Sequence, residues 1–276
     1  MSGELVMLVI AVTGNPLFKT RPTVNPYLYA ASLAWSRLTW DMTLRSWVSR
    51  ARLRTLRDSH PGQKAVIVCN GPSLLGTDWS LLADVYTFGL NKINLLFDSV
   101  SFRPSCIVSV NPLVLEQNAA FFNTTAIPLF LDRVAAAFDI RFRQNVVALH
   151  STGLNRFARD CSISIYQGGT VTFVAMQLAF HMGFTDVAVI GCDHSFTASG
   201  AANEKARREG TDSDHFHPDY FPDGEFWHLP DLDLSEGSYR LGRRIFEAYG
   251  RRVVNATDGG RLEVFPRMSL AEFLGD

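Results

Sequence analysis

Residues 167–194 constrain this chain more than any other stretch, because they read as a helix and a strand joined by a tight turn. Val171, Val174, Ala175, Leu178, Ala179 and Met182 recur at helical spacing, which predicts one apolar stripe on a helix that Gly183 ends. Residues 187–190 then form an unbroken apolar strand. Gly168, Gly169 and Thr170 stand ahead of the helix, where small residues let backbone N–H groups approach an anion closely. Asp193 and His194 follow the strand at its carboxyl end. Ligands of open α/β sheets gather at carboxyl ends of strands and amino ends of helices, so this unit offers two edges of one site.

Earlier in the chain three predicted strands each end in asparagine. Residues 64–69 run into Asn70-Gly71-Pro72-Ser73, residues 85–90 into Asn91, and residues 106–110 into Asn111-Pro112. Asparagine carries both a donor and an acceptor, which suits a base edge or ribose hydroxyls. Asn-Gly-Pro is also an ordinary turn sequence. Residues 127–131, Val146–Leu149 and 251–257 add further strands, with a helix at 234–249. Strands alternating with helical patterns predict an α/β fold: a Rossmann-like open, mostly parallel sheet with helices on both faces.

With 276 residues, 47% hydrophobic and 19% charged, the chain can bury a full core and reads as globular, not disordered. A net charge of -1 excludes a surface built wholly as a nucleic-acid footprint, and no nucleic-acid partner is expected. Cys69, Cys106, Cys161 and Cys192 are widely spaced and are expected as buried thiols of a reducing compartment. The apolar run at 5–12 is shorter than the ~20 residues that span a bilayer and has no basic flank, so a cytoplasmic location is expected.

Residues 1–60 read as an N-terminal helical arm, with Asn25-Pro26 as cap and first turn, and 61–276 as the catalytic domain. The arm combines Trp35, Trp40 and Trp47 with six arginines. That composition suits peripheral contact with the inner face of a membrane through residues 25–58. It equally suits a helix that packs its tryptophans on the core and solvates its arginines. A polar segment at about 196–236 reads as a lid and carries His215, His217, Tyr220 and His228, near His194. This cluster suits acid–base chemistry beside a phosphate. His215 and His217 with Asp193 and His194 could ligate zinc or manganese, but no helical metal-binding spacing is present and no protein-held metal is expected.

In this order, Asn70-Gly71-Pro72-Ser73-Leu74, Asn91, Asn111-Pro112, Gly169-Thr170, Gly191-x-Asp193 and Ser213-Asp214-His215-Phe216 resemble two related groups. One is the bacterial sialyltransferases of glycosyltransferase family 42, which use CMP-sugars. The other is the MptE-like family of hydroxymethylpterin diphosphokinases and flagellin-glycosylation factors. The resemblance covers about residues 64–268. It implies an inverting transferase moving an acidic sugar, sialic acid or Kdo-like, from a CMP-sugar donor to a glycan or lipid-linked acceptor. Nucleotide contacts would come from Asn70, Gly71, Pro72, Ser73, Asn91, Asn111, Gly168, Gly169, Thr170 and Asp193. His215 would be the general base, with Tyr166 and Tyr220 on the leaving phosphate. Tyr166 replaces an arginine of those enzymes, and Gly169 a serine. No cofactor is required on this reading. The MptE-like alternative is an ATP-using diphosphokinase with Mg²⁺ held by Asp193, Asp214 and Asp219, and a third reading is a non-catalytic glycan- or nucleotide-binding accessory protein. A homo-oligomer is left open.

Overall fold

A computed structural model describes residues 25–196 and 200–275. The apolar run at 5–12 lies outside the described residues.

Two helices open the described chain, α1 (Pro26–Asp41) and α2 (Leu44–Leu56). Asn25 caps α1 by accepting the Tyr27 N–H at 3.0 Å, and Thr43 caps α2 through Ser46 N–H at 3.1 Å. Five strands follow: β1 (Lys64–Val68), β2 (Tyr86–Leu90), β3 (Cys106–Ser109), β4 (Leu129–Asp132) and β5 (Val146–Leu149). Between β3 and β4 lie the short helices α3 (Pro112–Gln117) and α4 (Ala119–Thr124). A two-residue pair, β6 (Ser151–Thr152) with β7 (Ile165–Tyr166), leads to α5 (Val171–His181) and β8 (Asp186–Ile190). Then come the hairpin β9 (Lys205–Arg207) and β10 (Phe226–His228), helix α6 (Leu232–Ala248), β11 (Arg252–Asn255) and α7 (Leu270–Leu274).

The main sheet has seven strands in the order β11-β8-β1-β2-β3-β4-β5, every pair parallel. Strand alternation divides the core. Ala65, Ile67, Phe88, Leu90 and Val189 point to the face covered by α5, α6 and α2, while Val66, Val68, Ile107, Leu131 and Ile190 point to the face covered by α3, α4 and 3-10 turns. The open Rossmann-like α/β fold expected from the sequence is therefore present. The second face departs from the expected helices. The connections from β1 to β2 and from β2 to β3 carry only 3-10 turns, at Pro72–Gly76, Trp79–Leu82 and Ile93–Leu96.

Helix α5 corrects the single-stripe reading, because every residue from Thr172 to His181 is buried. The sheet covers one side, and α6 covers the other, with Phe180 and Phe246 in edge-to-face contact at 5.3 Å. Gln177 tolerates this burial because its amide is satisfied. Its Oε1 accepts from Ala158 and Tyr166 N–H at 3.0 Å each, and its Nε2 donates to Tyr166 O at 2.7 Å.

The two helices of the arm lie on the domain. Ser49 Oγ accepts the Ala148 N–H of β5 at 3.0 Å, and Arg52 donates to Val146 O at 2.8 Å. The packing reading of the tryptophans holds for one of the three. Trp40 is buried, while Trp35 and Trp47 are 57% and 64% exposed beside exposed Tyr27, Leu28, Leu38, Met42 and Leu44. No helix among the described residues is long and apolar enough to cross a membrane.

Candidate functional site

The strand order reverses at β1, whose neighbours are β2 on one side and β8 on the other. A crevice opens at such a switch point beyond the carboxyl ends of the strands. Here it is a cavity of about 870 Å³. Its wall includes Asn70, Gly71, Asn91, Asn111, Gly169, Thr170, Asp193, His215 and Tyr220, so most residues singled out in the sequence converge on one space. Pro72, Ser73, Gly168 and Tyr166 are not in that wall. Tyr166 instead packs against the core on the α5 face. Its backbone is fixed by Gln177, which accepts the Tyr166 N–H and donates to the Tyr166 carbonyl.

The three strand-end asparagines do different work. Asn111 caps α3 by accepting Leu113 N–H at 2.9 Å. Asn91 adopts the left-handed backbone, φ +50, and accepts the Ser109 hydroxyl at 3.1 Å. Asn70 is 9% exposed, and its Oδ1 is buried with no hydrogen-bond partner among the described residues. A buried acceptor without a donor is costly, and a donor entering the cavity would satisfy it. Asn255, at the end of β11, turns inward instead, donating to Leu262 O at 2.8 Å.

Asp193 braces the β1 turn. Its carboxylate accepts the Ser73 hydroxyl at 2.8 Å and the Ser73 N–H at 3.3 Å. A Cβ on Gly71 would stand 1.7 Å from that carboxylate, so only glycine fits between the two loops. Next to it His194 is held at φ +53 with Nε2 3.3 Å from Glu236 Oε1. At the amino end of α5, Gly169 takes φ +76 and a Cβ there would meet Leu234 at 2.7 Å. Thr170 caps the helix through Thr172 N–H at 3.3 Å. Gly169, Thr170, Val171 and Thr172 all line the cavity, which brings the positive end of α5 to its wall.

The segment read as a lid is organised by the β9–β10 hairpin and a buried aromatic cluster of Phe216, Tyr220, Phe221 and Trp227. The His215 ring stacks on Tyr220 at 4.0 Å with planes 4° apart. Its Nδ1 lies 2.8 Å from Asp212 Oδ2, and Nε2 has no hydrogen-bond partner among the described residues. Asp212 is inaccessible and also accepts Asp214 N–H at 2.9 Å, Phe221 N–H at 3.2 Å and Arg208 Nη2 at 3.2 Å. Burial alone would raise its pKa. The hydrogen bond and charge of His215, together with Arg208, overcome that and hold the carboxyl below the usual aspartate value. The ionised Asp212 carboxylate accepts from Nδ1, and in the neutral ring Nε2 is then the acceptor. Sequence reasoning named Asp214 and missed Asp212, whose only signal is its place three residues before His215. Tyr220 is 1% exposed, burial raises its hydroxyl pKa, and the Asn91 side chain hydrogen-bonds it. His228 also lines the cavity, with no hydrogen bond to its ring among the described residues, and burial and Lys205 lower its pKa.

The three carboxylates that would hold Mg²⁺ for a diphosphokinase are engaged separately: Asp193 with Ser73, Asp214 with Arg208 Nη1 at 2.8 Å, and Asp219 on an exposed turn. Among the described residues no group of three or more His, Cys, Asp or Glu side chains is gathered as a metal site. All four cysteines are buried and free.

The cavity wall also contains residues that the sequence had placed in a separate arm. Tyr29, Ser32, Leu33 and Ser36 of α1 face it from the β4 side, next to Arg133.

No protein-family model matches the chain, and no curated protein does. Among solved structures, the MAf glycosyltransferase from Magnetospirillum magneticum AMB-1 superposes with a TM-score of 0.47 at 16% identity. That match covers 98% of this chain and 47% of the other, so the chain spans about half the length of that structure. At that level of likeness function has to be read from the cavity itself.

Proposed function

We propose that the chain is an inverting glycosyltransferase that moves an acidic sugar, of sialic acid or Kdo type, from a CMP-linked donor to a hydroxyl of a glycan or glycolipid. The single observation that supports a nucleotide in the cavity is the buried, unpaired Oδ1 of Asn70 at the switch point. An amino group of a base or a ribose hydroxyl would supply the missing donor. The phosphate of the CMP-linked donor carries one negative charge and gains a second as it leaves, and the amino end of α5 with nearby neutral donors suits a single phosphate of that charge. A diphosphate leaving group would ask for more positive charge.

In the proposed step the acceptor oxygen bonds to the anomeric carbon as the bond from that carbon to the phosphate oxygen breaks. The electron pair leaves with CMP, and the acceptor proton passes to His215 Nε2. Asp212 fixes the tautomer and stabilises the imidazolium that forms. His215→Ala should reduce kcat by roughly 10²–10⁴ while the nucleotide still stabilises the fold. Asp212→Asn should also be slow, because it favours the wrong tautomer. His228→Ala is the companion variant, and loss of turnover there with His215→Ala fully active would move the base to His228. The basic, apolar outer face of α1 and α2 suits an acceptor presented at an anionic membrane surface.

A further inference from the structure

The cavity is longer than its nucleotide end. β4 lies three strands from β1, about 14 Å at the usual ~4.8 Å spacing, and its carboxyl end meets α1 across the same space. Arg133 follows β4 at this end and is the only lysine or arginine among the described residues of the cavity wall. Its guanidinium has five N–H donors but makes one side-chain hydrogen bond, from Nη2 to Ser36 Oγ at 2.9 Å.

No carboxylate among the described residues lies within ion-pair distance of Arg133. The acidic residues of the wall are each taken elsewhere. Asp132 accepts Val134 N–H at 2.9 Å and the Ser151 hydroxyl, and Asp231 accepts from Leu234 N–H at 3.0 Å and Asn203 at 2.8 Å. Asp193 and Asp214 are held by Ser73 and Arg208. His150, close by, adds no charge at neutral pH. Burial first, then the charges of Arg133 and Arg37, depress its pKa to about 4. Asp132, next in the chain, acts on Arg133 only by longer-range charge, and burial still lowers the guanidinium's pKa. A half-buried cation with most of its donors unused and no carboxylate in contact is expensive unless a ligand completes it.

We propose that Arg133 marks a second subsite of the cavity, one that binds an anionic group, carboxylate or phosphate, on the saccharide substrate. The subsite is walled by α1, which gives the N-terminal helices a direct part in substrate recognition. Calling the ligand a saccharide rests on the transferase reading, whereas the need for an anion rests on Arg133 alone. A planar, two-oxygen anion matches the guanidinium fork best.

The test compares thermal stabilisation of the full chain by lactose, sialyllactose, CMP and CMP-N-acetylneuraminic acid, in wild type, Arg133→Gln, Arg133→Lys and Ser36→Ala. Sialyllactose should stabilise wild type at concentrations at least tenfold lower than lactose does, or CMP-N-acetylneuraminic acid at concentrations tenfold lower than CMP. The first pattern assigns the anion to the acceptor and the second to the donor. Arg133→Gln should lose that preference while its response to CMP is unchanged, and Arg133→Lys and Ser36→Ala, which keep a cation but loosen its seat, should each keep part of it. Equal responses within both pairs, sialyllactose with lactose and CMP-N-acetylneuraminic acid with CMP, would overturn the proposal. So would an Arg133→Gln protein that melts lower but retains the preference, since Arg133 would then only latch α1. Absence of any CMP response with the acid preference intact would defeat the nucleotide reading and leave this subsite standing.

Discussion

Asn70 and His215 each bring to the cavity wall a side-chain atom left over after the fold is complete. Asn70 Oδ1 has no partner, and His215 Nε2 remains after Nδ1 is committed to Asp212. Removing Asn70 Oδ1 therefore breaks no hydrogen bond of that atom in the free protein. Asn70→Ala is expected to change the unliganded melting temperature little and to weaken CMP binding by about tenfold, roughly one hydrogen bond's worth. Titration calorimetry with CMP beside a melting curve separates the two effects. A large drop in stability with CMP affinity intact would mean that Asn70 serves the fold. Of these groups Asn70 and His215 were legible in the sequence, because a strand end and a histidine cluster are local patterns. Asp212 was not. One aspartate in Thr211-Asp212-Ser213-Asp214 looks like the next until the loop closes and buries it.

At the scale of elements, the docking of α1 on β5 and β7 carries a titratable group. His150 follows β5, with Nδ1 2.8 Å from Ser164 Oγ and Nε2 3.5 Å from Ser36 of α1. Its pKa of about 4 lies below the ordinary 6.5, so the unfolded chain binds the proton first as pH falls. The stability that depends on neutral His150 is present above pH 6.5, declines between 6.5 and 4, and is gone below 4. The gap corresponds to about 3 kcal/mol at most. His60 and His228, also lowered by burial, act in the same direction. Urea unfolding at pH 7 and pH 4.5 should show the loss, and His150→Asn should flatten it. Equal pH dependence in that variant would place the effect elsewhere. The seven strands were readable because apolar runs are a local signal, and five of them close on Asn or Gly. The role of α1 was not readable, since its cavity-facing Tyr29, Ser32 and Ser36 gain their meaning only from β4, about a hundred residues away. The all-round burial of α5 escaped for the same reason, because Gln177 reads as surface until Ala158 and Tyr166 satisfy its amide.

Taken whole, the molecule places a nucleotide-sized crevice at its switch point, an anion subsite beside α1, and an exposed apolar and basic surface on the outside of α1 and α2. Residues 42–57 hold five arginines and no acidic residue, next to exposed Trp35 and Trp47. Vesicles containing phosphatidylglycerol should co-sediment the protein more than phosphatidylcholine vesicles, and a Trp35→Ser, Trp47→Ser variant should lose that binding. Equal binding to both vesicle types would remove the electrostatic part of this account. The most direct measurement on the central claim is a thermal-shift comparison of CMP, CDP, UDP, GDP and ATP, each with and without Mg²⁺. A ligand that binds only the folded state raises its melting temperature, by about 2.7 kcal/mol of stability at a hundred times its Kd. Selective stabilisation by CMP without metal is the predicted result. Stabilisation by ATP only in the presence of Mg²⁺, with none by CMP, would contradict it and favour the diphosphokinase.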